Sequence, residues 1–258
     1  MPRPSILITG ASGFIGGQLF RRFQELGWSV HGIGRRALQV EGYTACDLTQ
    51  PIANAIVEQL RGVDVILHAA ARSSPWGRRR DFQQANVGAT RHMVELARRL
   101  QCKKFIFLSS SSVYYLPRDQ FDLSEKSPHA QPAVNLYAES KQQAEAFVRE
   151  YEGRWCILRP RAVYGVGDTV LFPRILASAA AGRLPLLVRQ GSPAVGDLLS
   201  IDNLVDICVQ AAHRLDVVGE YNLTDNQAVE IVPFLLDVFD RLGIPRPTRQ
   251  VSTRFAFR

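Results

Sequence analysis

The chain has 258 residues, with 31 Lys and Arg against 24 Asp and Glu, a formal charge of +7, and 46% hydrophobic residues. This balance excludes a disordered, collagen-like or coiled-coil chain, and the length is enough to bury a full core, as one large domain or one domain plus a smaller lobe. No run of about 18 apolar residues occurs, so no membrane span is expected.

In chain order, Ile6-Leu7-Ile8 reads as a buried strand. Phe14 to Leu26 predicts a helix, with Phe14, Ile15, Leu19, Phe23 and Leu26 at three- and four-residue steps. Val30 to Ile33 is a second strand. Pro51 to Leu60 is helical, with proline at the start, where its missing N–H costs nothing. Val63 to Leu67 is a strand, Phe82 to Leu100 a long helix, and Phe105 to Leu108 a strand. Leu136 to Tyr151 is a helix and Trp155 to Leu158 a strand. Such alternation implies an α/β fold with parallel strands and crossover helices on both faces. Beyond Gly165, Gly and Pro become frequent and the rhythm irregular. Two further helices are predicted there, at about Asp202 to Ala212 and Val229 to Leu242. The chain therefore reads as a domain over 1–165 and a smaller lobe over 166–258.

Cys46, Cys102, Cys156 and Cys208 are far apart, with no CxxC pair and no histidine at ligand spacing. That argues against a metal site or a disulfide scaffold and for a reduced compartment. Met1-Pro2-Arg3-Pro4 leads straight into the first apolar run without a signal peptide, so a cytoplasmic location is expected. Only Lys103, Lys104, Lys126 and Lys141 are lysines, and the remaining basic residues are arginines. They are scattered, with one run at Arg78-Arg79-Arg80, which a solvated loop explains as well as a nucleic-acid partner would. No nucleic-acid partner is expected.

The first strand runs into Thr9-Gly10-Ala11-Ser12-Gly13-Phe14-Ile15-Gly16. Glycines at 10, 13 and 16 between strand and helix are the dinucleotide fingerprint in its required context. Gly10 allows the tight turn, Gly13 lets the backbone approach a pyrophosphate, and Gly16 lets the helix pack on the strand. The helix N-terminus then offers free N–H groups to the phosphates. The second strand ends Ile33-Gly34-Arg35-Arg36, with no acid for a ribose 2′-hydroxyl. Arg35, ahead of Arg36, suits the 2′-phosphate of NADP(H), so NADP(H) is preferred over NAD(H).

Tyr137 and Lys141 stand four apart on one helix face, and Ser109-Ser110-Ser111-Ser112-Val113-Tyr114 closes a strand at its carboxyl end. A phenol has an ordinary pKa of about 10, and a nearby ammonium lowers it. A serine hydroxyl can hold a substrate oxygen beside such a phenol.

With these residues, and with Cys46-Asp47-Leu48, His68-Ala69-Ala70-Ala71, Asn86 to Thr90, Leu158 to Gly165, Ile201 to Leu204 and Tyr221-Asn222-Leu223, the chain resembles an extended short-chain dehydrogenase/reductase of the epimerase/dehydratase branch. The resemblance implies a Rossmann-type doubly wound parallel sheet with a smaller C-terminal substrate lobe. It implies Tyr137 as general acid/base and Lys141 as the group that lowers its pKa and holds the nicotinamide ribose. Ser110 would be the catalytic hydroxyl, with Ser111 as fallback, and Asn86 a supporting residue. Asp47 and Leu48 would lie beside the adenine, Ala69 and Ala70 along the cofactor channel, and Pro160, Ala162 and Val163 beside the nicotinamide.

Each residue also has a plainer reading. Asp47 could cap a helix, Tyr114 and Tyr115 read as packing residues, and the lone histidines as structural. Ser111 and Ser112 stand where the family's dehydratases carry an Asp-Glu pair, which argues against a sugar-nucleotide dehydratase. Ser73 to Gly77, Ser109 to Tyr114 and Asp119 to Glu125 resemble the 3β-hydroxysteroid dehydrogenase-like subgroup, with its 2-alkyl-3-oxoalkanoate reductases. Trp76 and Phe121 would then flank an apolar substrate, or else pack within their loops.

The leading expectation is an NADP(H)-dependent oxidoreductase interconverting a ketone and a secondary alcohol on a mostly apolar 3-oxo or 3-hydroxy compound. The alternatives are a nucleotide-sugar epimerase or reductase with bound NAD(P), and a non-catalytic dinucleotide sensor. The resemblance also implies a homodimer through a four-helix bundle of the Phe82–Leu100 and Leu136–Tyr151 helices. The last ten residues read as the start of a helix, cut short or belonging to a reduced lobe.

Overall fold

The structure, a computed structural model, describes residues 3–74 and 76–252. β1 (Ser5–Thr9) is followed by α1 (Phe14–Glu25), β2 (Ser29–Gly34), β3 (Tyr43–Ala45), α2 (Asn54–Gln59) and β4 (Val65–His68). Next come α3 (Arg79–Phe82), a wide π-helical turn over Gln83–Gly88, α4 (Ala89–Leu100) and β5 (Lys104–Leu108). A 3₁₀ turn (Ser111–Tyr114) leads to α5 (Leu136–Arg149), β6 (Arg154–Pro160), β7 (Ala162–Tyr164), α6 (Phe172–Ala180), β8 (Leu186–Val188), β9 (Val195–Gly196) and β10 (Leu198–Ser200). The order closes with α7 (Ile201–His213), β11 (Gly219–Leu223), β12 (Val229–Glu230), α8 (Ile231–Arg241) and β13 (Gln250–Ser252).

Seven strands form one sheet in the order β11-β6-β5-β4-β1-β2-β3, every neighbouring pair parallel. With helices on both faces, strand interiors see no water, which is why they are continuous apolar runs. Ile6, Leu7, Ile8, Phe105, Ile106 and Phe107 are wholly buried. Leu19, Phe20 and Phe23 of α1 and Met93, Leu96 and Ala97 of α4 are buried too. Met93 and Leu96 therefore belong to the core rather than to an outer face that a second copy could use.

The chain forms two compact units, and the division differs from a cut at residue 165. The first unit is Met1–Arg161 with Asp202–Leu223, and the second is Ala162–Ile201 with Thr224–Arg258. Residues 202–223 return to the sheet because β11 pairs with β6 from Gly219↔Cys156 to Leu223↔Pro160. The end of α7 is fixed to the same unit. The buried Lys104 ammonium donates to Ala211 O at 2.5 Å and Arg214 O at 2.7 Å, satisfying carbonyls that a helix end leaves open.

Other expectations shift locally. The second helix begins at Asn54 rather than Pro51. The long helix begins at Arg79 and contains the π turn. Residues 229–230 are strand, with α8 starting after them. At the end of the chain, 250–252 form a strand parallel to β8 where a helix was expected, and 253–258 lie outside the described residues. All four cysteines are free. Among the described residues no His/Cys/Asp/Glu cluster could hold a metal, and no helix is long and apolar enough to cross a membrane.

Candidate active site

Strands β5, β4 and β1 are neighbours in the sheet, and Ser110, Ala69–Ala70 and the Gly10–Gly16 loop follow their respective carboxyl ends. Gly10 has φ +70°, a left-handed conformation, and a Cβ there would stand 3.0 Å from Ala70 Cα and N. A Cβ on Gly16 would lie 2.2 Å from the Gly10 carbonyl oxygen, so α1 reaches the loop only because that position is glycine. Gly13 is the N-cap residue, no side chain caps the helix, and no acid stands in its first turn. The first-turn N–H groups thus face the loop without a side-chain acceptor. This is a backbone cradle that side chains would fill, and it fits a dinucleotide pyrophosphate.

A buried relay ties the cradle to its neighbours. The Thr9 hydroxyl accepts from Ala70 N at 3.0 Å and lies 2.7 Å from His68 Nδ1, while His68 Nε2 lies 3.1 Å from Thr90 Oγ1. Thr90 gives its own proton to Asn86 O at 2.6 Å, so the self-consistent assignment is a neutral His68 donating from Nε2 and accepting at Nδ1. Burial, and then the charge of Lys141, push His68 down to about 3. The ring is therefore structural.

Asn86, buried on the π turn, accepts from Arg72 N at 2.7 Å and donates to Ser140 Oγ at 2.8 Å. It thereby joins the loop after β4 to α5, touching Ser140 rather than Tyr137 or Lys141. Asn135 caps α5 by accepting from Ala138 N at 2.8 Å, which fixes where the Tyr137–Lys141 face begins.

Ser110 is half-buried, its hydroxyl accepts from Ser112 N at 3.2 Å, and its side chain comes near enough to the Tyr137 hydroxyl to act on that phenol. Ser111 does not take that place, because its hydroxyl lies 2.8 Å from Tyr115 OH. Burial pushes the Tyr137 phenol up to about 12, Ser110 pulls it down, and Tyr115 raises it further. Lys141 is buried, donates to Leu108 O at 2.5 Å and sits 4.3 Å from the centre of the Phe107 ring. Burial lowers its ammonium to about 7, against an opposing pull from Glu145. The expected lowering of the phenol by Lys141 is thus not what these residues give. The ammonium is turned to a carbonyl, and desolvation dominates both groups.

Behind the site lies a charged network that the sequence did not suggest. Fully buried Glu145 accepts from Ser109 Oγ at 2.6 Å, from Arg159 Nε at 2.9 Å and Nη2 at 2.7 Å, and from Arg149 Nη2 at 2.8 Å. Arg159 also meets Glu220 of β11 and the Tyr114 hydroxyl. Both tyrosines have their hydroxyls held: that of Tyr114 meets Arg159 and Asn222, and that of Tyr115 accepts from Arg161 Nη1 at 2.8 Å and lies 2.8 Å from Ser111 Oγ. Partners 46 positions apart leave no local sequence signal.

Arg35 and Arg36 are exposed beyond β2, and among the described residues neither guanidinium makes an ion pair or hydrogen bond. Gly34 abuts Ser12 and Tyr43, and a Cβ there would stand 2.7 Å from both hydroxyl oxygens. Asp47 caps no helix, since its carboxylate accepts from Thr49 N at 3.0 Å in a tight turn. Leu48 is buried beside it, and Ala69 and Ala70 are half-buried at the end of β4. Pro160 closes β6, while Ala162 and Val163 lie on β7 in the second unit. Trp76 and Phe121 are 82% and 74% exposed, which excludes loop packing as their role.

Residues 6–224 match the NAD dependent epimerase/dehydratase family. The chain belongs to that family. It is an enzyme of the extended short-chain dehydrogenase/reductase type, whose members are NAD(P)-dependent oxidoreductases and epimerases. A 2-alkyl-3-oxoalkanoate reductase of Shewanella oneidensis is 28% identical over 97% of this chain and 69% of its own length. A 3 beta-hydroxysteroid dehydrogenase/Delta 5-->4-isomerase of Mycobacterium tuberculosis is 26% identical over 96% of this chain and 72% of its own. Among solved structures, MoeE5 in complex with UDP-glucose and NAD superposes with a TM-score of 0.82 at 23% identity, over 97% of this chain and 86% of that one. That likeness shows the shared fold.

Proposed function

We propose that this protein is an NADP(H)-dependent ketoreductase, interconverting a ketone and a secondary alcohol on a mostly apolar 3-oxo or 3-hydroxy compound. The observation that carries the reading is the approach of Ser110, after β5, to the Tyr137 hydroxyl of α5, in a chain whose β1 ends in the Gly10–Gly16 cradle. The α1 N-terminus would hold the pyrophosphate, with Asp47 and Leu48 beside the adenine and Ala69 and Ala70 along the channel. Lys141 would hold the nicotinamide ribose, and Pro160, Ala162 and Val163 would border the ring. Arg35, without a partner among the described residues and beyond a strand that ends in Gly34, would take the 2′-phosphate. When bound, the reduced nicotinamide supplies a hydride to the carbonyl carbon.

The rest of the chemistry falls to this chain. Ser110 holds the carbonyl oxygen. Tyr137, fully protonated near neutral pH, gives its proton to that oxygen as the bond order falls, and recovers one from solvent. Alcohol oxidation would run the same steps in reverse, with Tyr137 taking the proton. The names of the Shewanella and mycobacterial relatives, an oxoalkanoate reductase and a hydroxysteroid dehydrogenase, support the carbonyl–carbinol chemistry. Asn86 acts through Ser140 and the loop after β4, as a positioning residue. The test is turnover of wild type and Tyr137→Phe with NADPH. General acid catalysis contributes roughly 10²–10⁴-fold, so the variant is expected to lose at least that lower factor in kcat while still binding NADPH. Full turnover in Tyr137→Phe would refute the mechanism.

A further inference from the structure

Five buried polar side chains, Thr9, His68, Thr90, Asn86 and Ser140, form one hydrogen-bonded line from the end of β1 to the first turns of α5. Thr9 stands one residue before the Gly10 turn, where a Cβ would come 3.0 Å from the Ala70 backbone. With His68 neutral, the Thr9 hydroxyl accepts from Ala70 N at 3.0 Å and donates to His68 Nδ1 at 2.7 Å. His68 Nε2 donates to Thr90 Oγ1 at 3.1 Å. Thr90 donates to Asn86 O at 2.6 Å, where the π turn passes into α4. The Asn86 side chain accepts from Arg72 N at 2.7 Å and donates to Ser140 Oγ at 2.8 Å. Ser140 donates in turn to Tyr137 O at 2.7 Å, the carbonyl of the phenol-bearing residue.

Each hydroxyl in the line accepts one bond and donates one, so the line has a single polarity and a single arrangement. Burying polar groups is costly unless all are satisfied, and a fully satisfied network rigidifies what it joins. A second contact links the same histidine to α5. The His68 ring stacks on Phe107 with centroids 5.7 Å apart, and Lys141 Nζ lies 4.3 Å from the centre of that Phe107 ring. His68 is thus joined to the Tyr137 peptide by hydrogen bonds and to Lys141 through an aromatic ring, while Thr9 and Ala70 hold its other side to the Gly10 turn.

We propose that Thr9, His68 and Thr90 are positioning residues, a buried brace that holds the Tyr137 face of α5 in register with the Gly10–Gly16 cradle. A cofactor seated on the cradle and a phenol carried by α5 meet productively only if the two elements keep one spacing. A misplacement of about 1 Å at a reacting centre costs on the order of 100-fold in rate. The brace moves no proton and touches neither cofactor nor substrate. The proposal rests on the ketoreductase reading for its rate measurement and goes beyond it in giving these three residues a part in the reaction.

The test uses Thr90→Val, which keeps the shape and removes the hydroxyl, and Thr90→Ser, which keeps the hydroxyl. NADPH affinity is read by fluorescence and reduction of ethyl 3-oxodecanoate by NADPH absorbance. Thr90→Val is expected to lose about 10- to 100-fold in kcat while its NADPH affinity stays within about threefold of wild type. Thr90→Ser should recover most of the rate. In a Tyr137→Phe background Thr90→Val should cost less than about threefold, because the brace acts through the phenol. The same loss in both backgrounds, a loss confined to NADPH affinity, or an unchanged rate would overturn the proposal while leaving the ketoreductase reading in place. If wild type reduces neither this ester nor a ketosteroid, it is the ketoreductase reading that fails, and amide hydrogen exchange then decides the brace. Thr90→Val should speed exchange in 136–141 by at least about tenfold and leave 19–25 of α1 unchanged, with Thr90→Ser close to wild type. Equal acceleration of both segments, or none in 136–141, would overturn it.

Discussion

Glu145→Gln removes a charge where the structure can least replace it. Glu145 is wholly buried and takes hydrogen bonds from Ser109, Arg159 and Arg149, with His129 Nε2 at 3.3 Å. Glutamine keeps the size and one acceptor oxygen, but it turns two N–H donors toward guanidinium groups. Glu220 remains for Arg159, so the loss is partial rather than a fully orphaned cation. Breaking one arm of a buried pair costs about 3–5 kcal/mol, which for a chain of this size lowers Tm by about 6–20 °C.

The pH dependence provides the sharper check. Burial alone would raise the Glu145 carboxyl, but the bonds from Arg159, His129 and Ser109 outweigh it and hold it down to about 2, against an ordinary 4.5. A carboxyl held below its unfolded value stabilises the fold fully above about 4.5, and that contribution is lost as pH falls toward 2. The wild-type advantage over Glu145→Gln should therefore be full at pH 7 and shrink progressively below pH 4.5. Thermal melts by circular dichroism across that range measure it. A gap below about 1 kcal/mol at pH 7, or one that does not narrow in acid, would refute the reasoning.

Three further outcomes are expected. Gly16→Ala puts a Cβ 2.2 Å from the Gly10 oxygen, so α1 must move off the loop, costing about 1–3 kcal/mol and weakening NADPH binding in a fluorescence titration. Arg35→Ala should reduce the ratio of NADPH to NADH affinity by roughly tenfold or more, and an unchanged ratio would remove Arg35 from the 2′-phosphate. His68, held near 3 by burial and by Lys141, should show no imidazole titration by NMR between pH 8 and 5, and a midpoint near 6.5 would break the proposed relay.

Much of the sheet could be read from local chemistry. Ile6-Leu7-Ile8 is apolar throughout because both faces of β1 are covered, and the glycines at 10 and 16 stand where a Cβ would strike backbone. The Tyr137–Lys141 face and the Ser110 turn were legible because each is set within a few residues by a cap or a strand end. What was not legible depends on distant partners. The return of α7 and β11 to the sheet is decided by pairing with β6 and by Lys104, more than 100 positions from the carbonyls it binds. Nothing near Tyr115 in sequence reveals its bond to Arg161, 46 positions on. Nothing near Glu145 in the sequence signals that Arg159 and Ser109 converge on it.

The most direct measurement is NADPH consumption by the purified protein against 3-oxo acids, ketosteroids and aryl ketones, with NADH as the control cofactor and Tyr137→Phe as the control enzyme. The account predicts turnover of an apolar 3-oxo compound, faster with NADPH than with NADH, and lost in Tyr137→Phe. No turnover of any ketone, with NAD released when the protein is denatured, would contradict it and favour nucleotide-sugar chemistry at the same site.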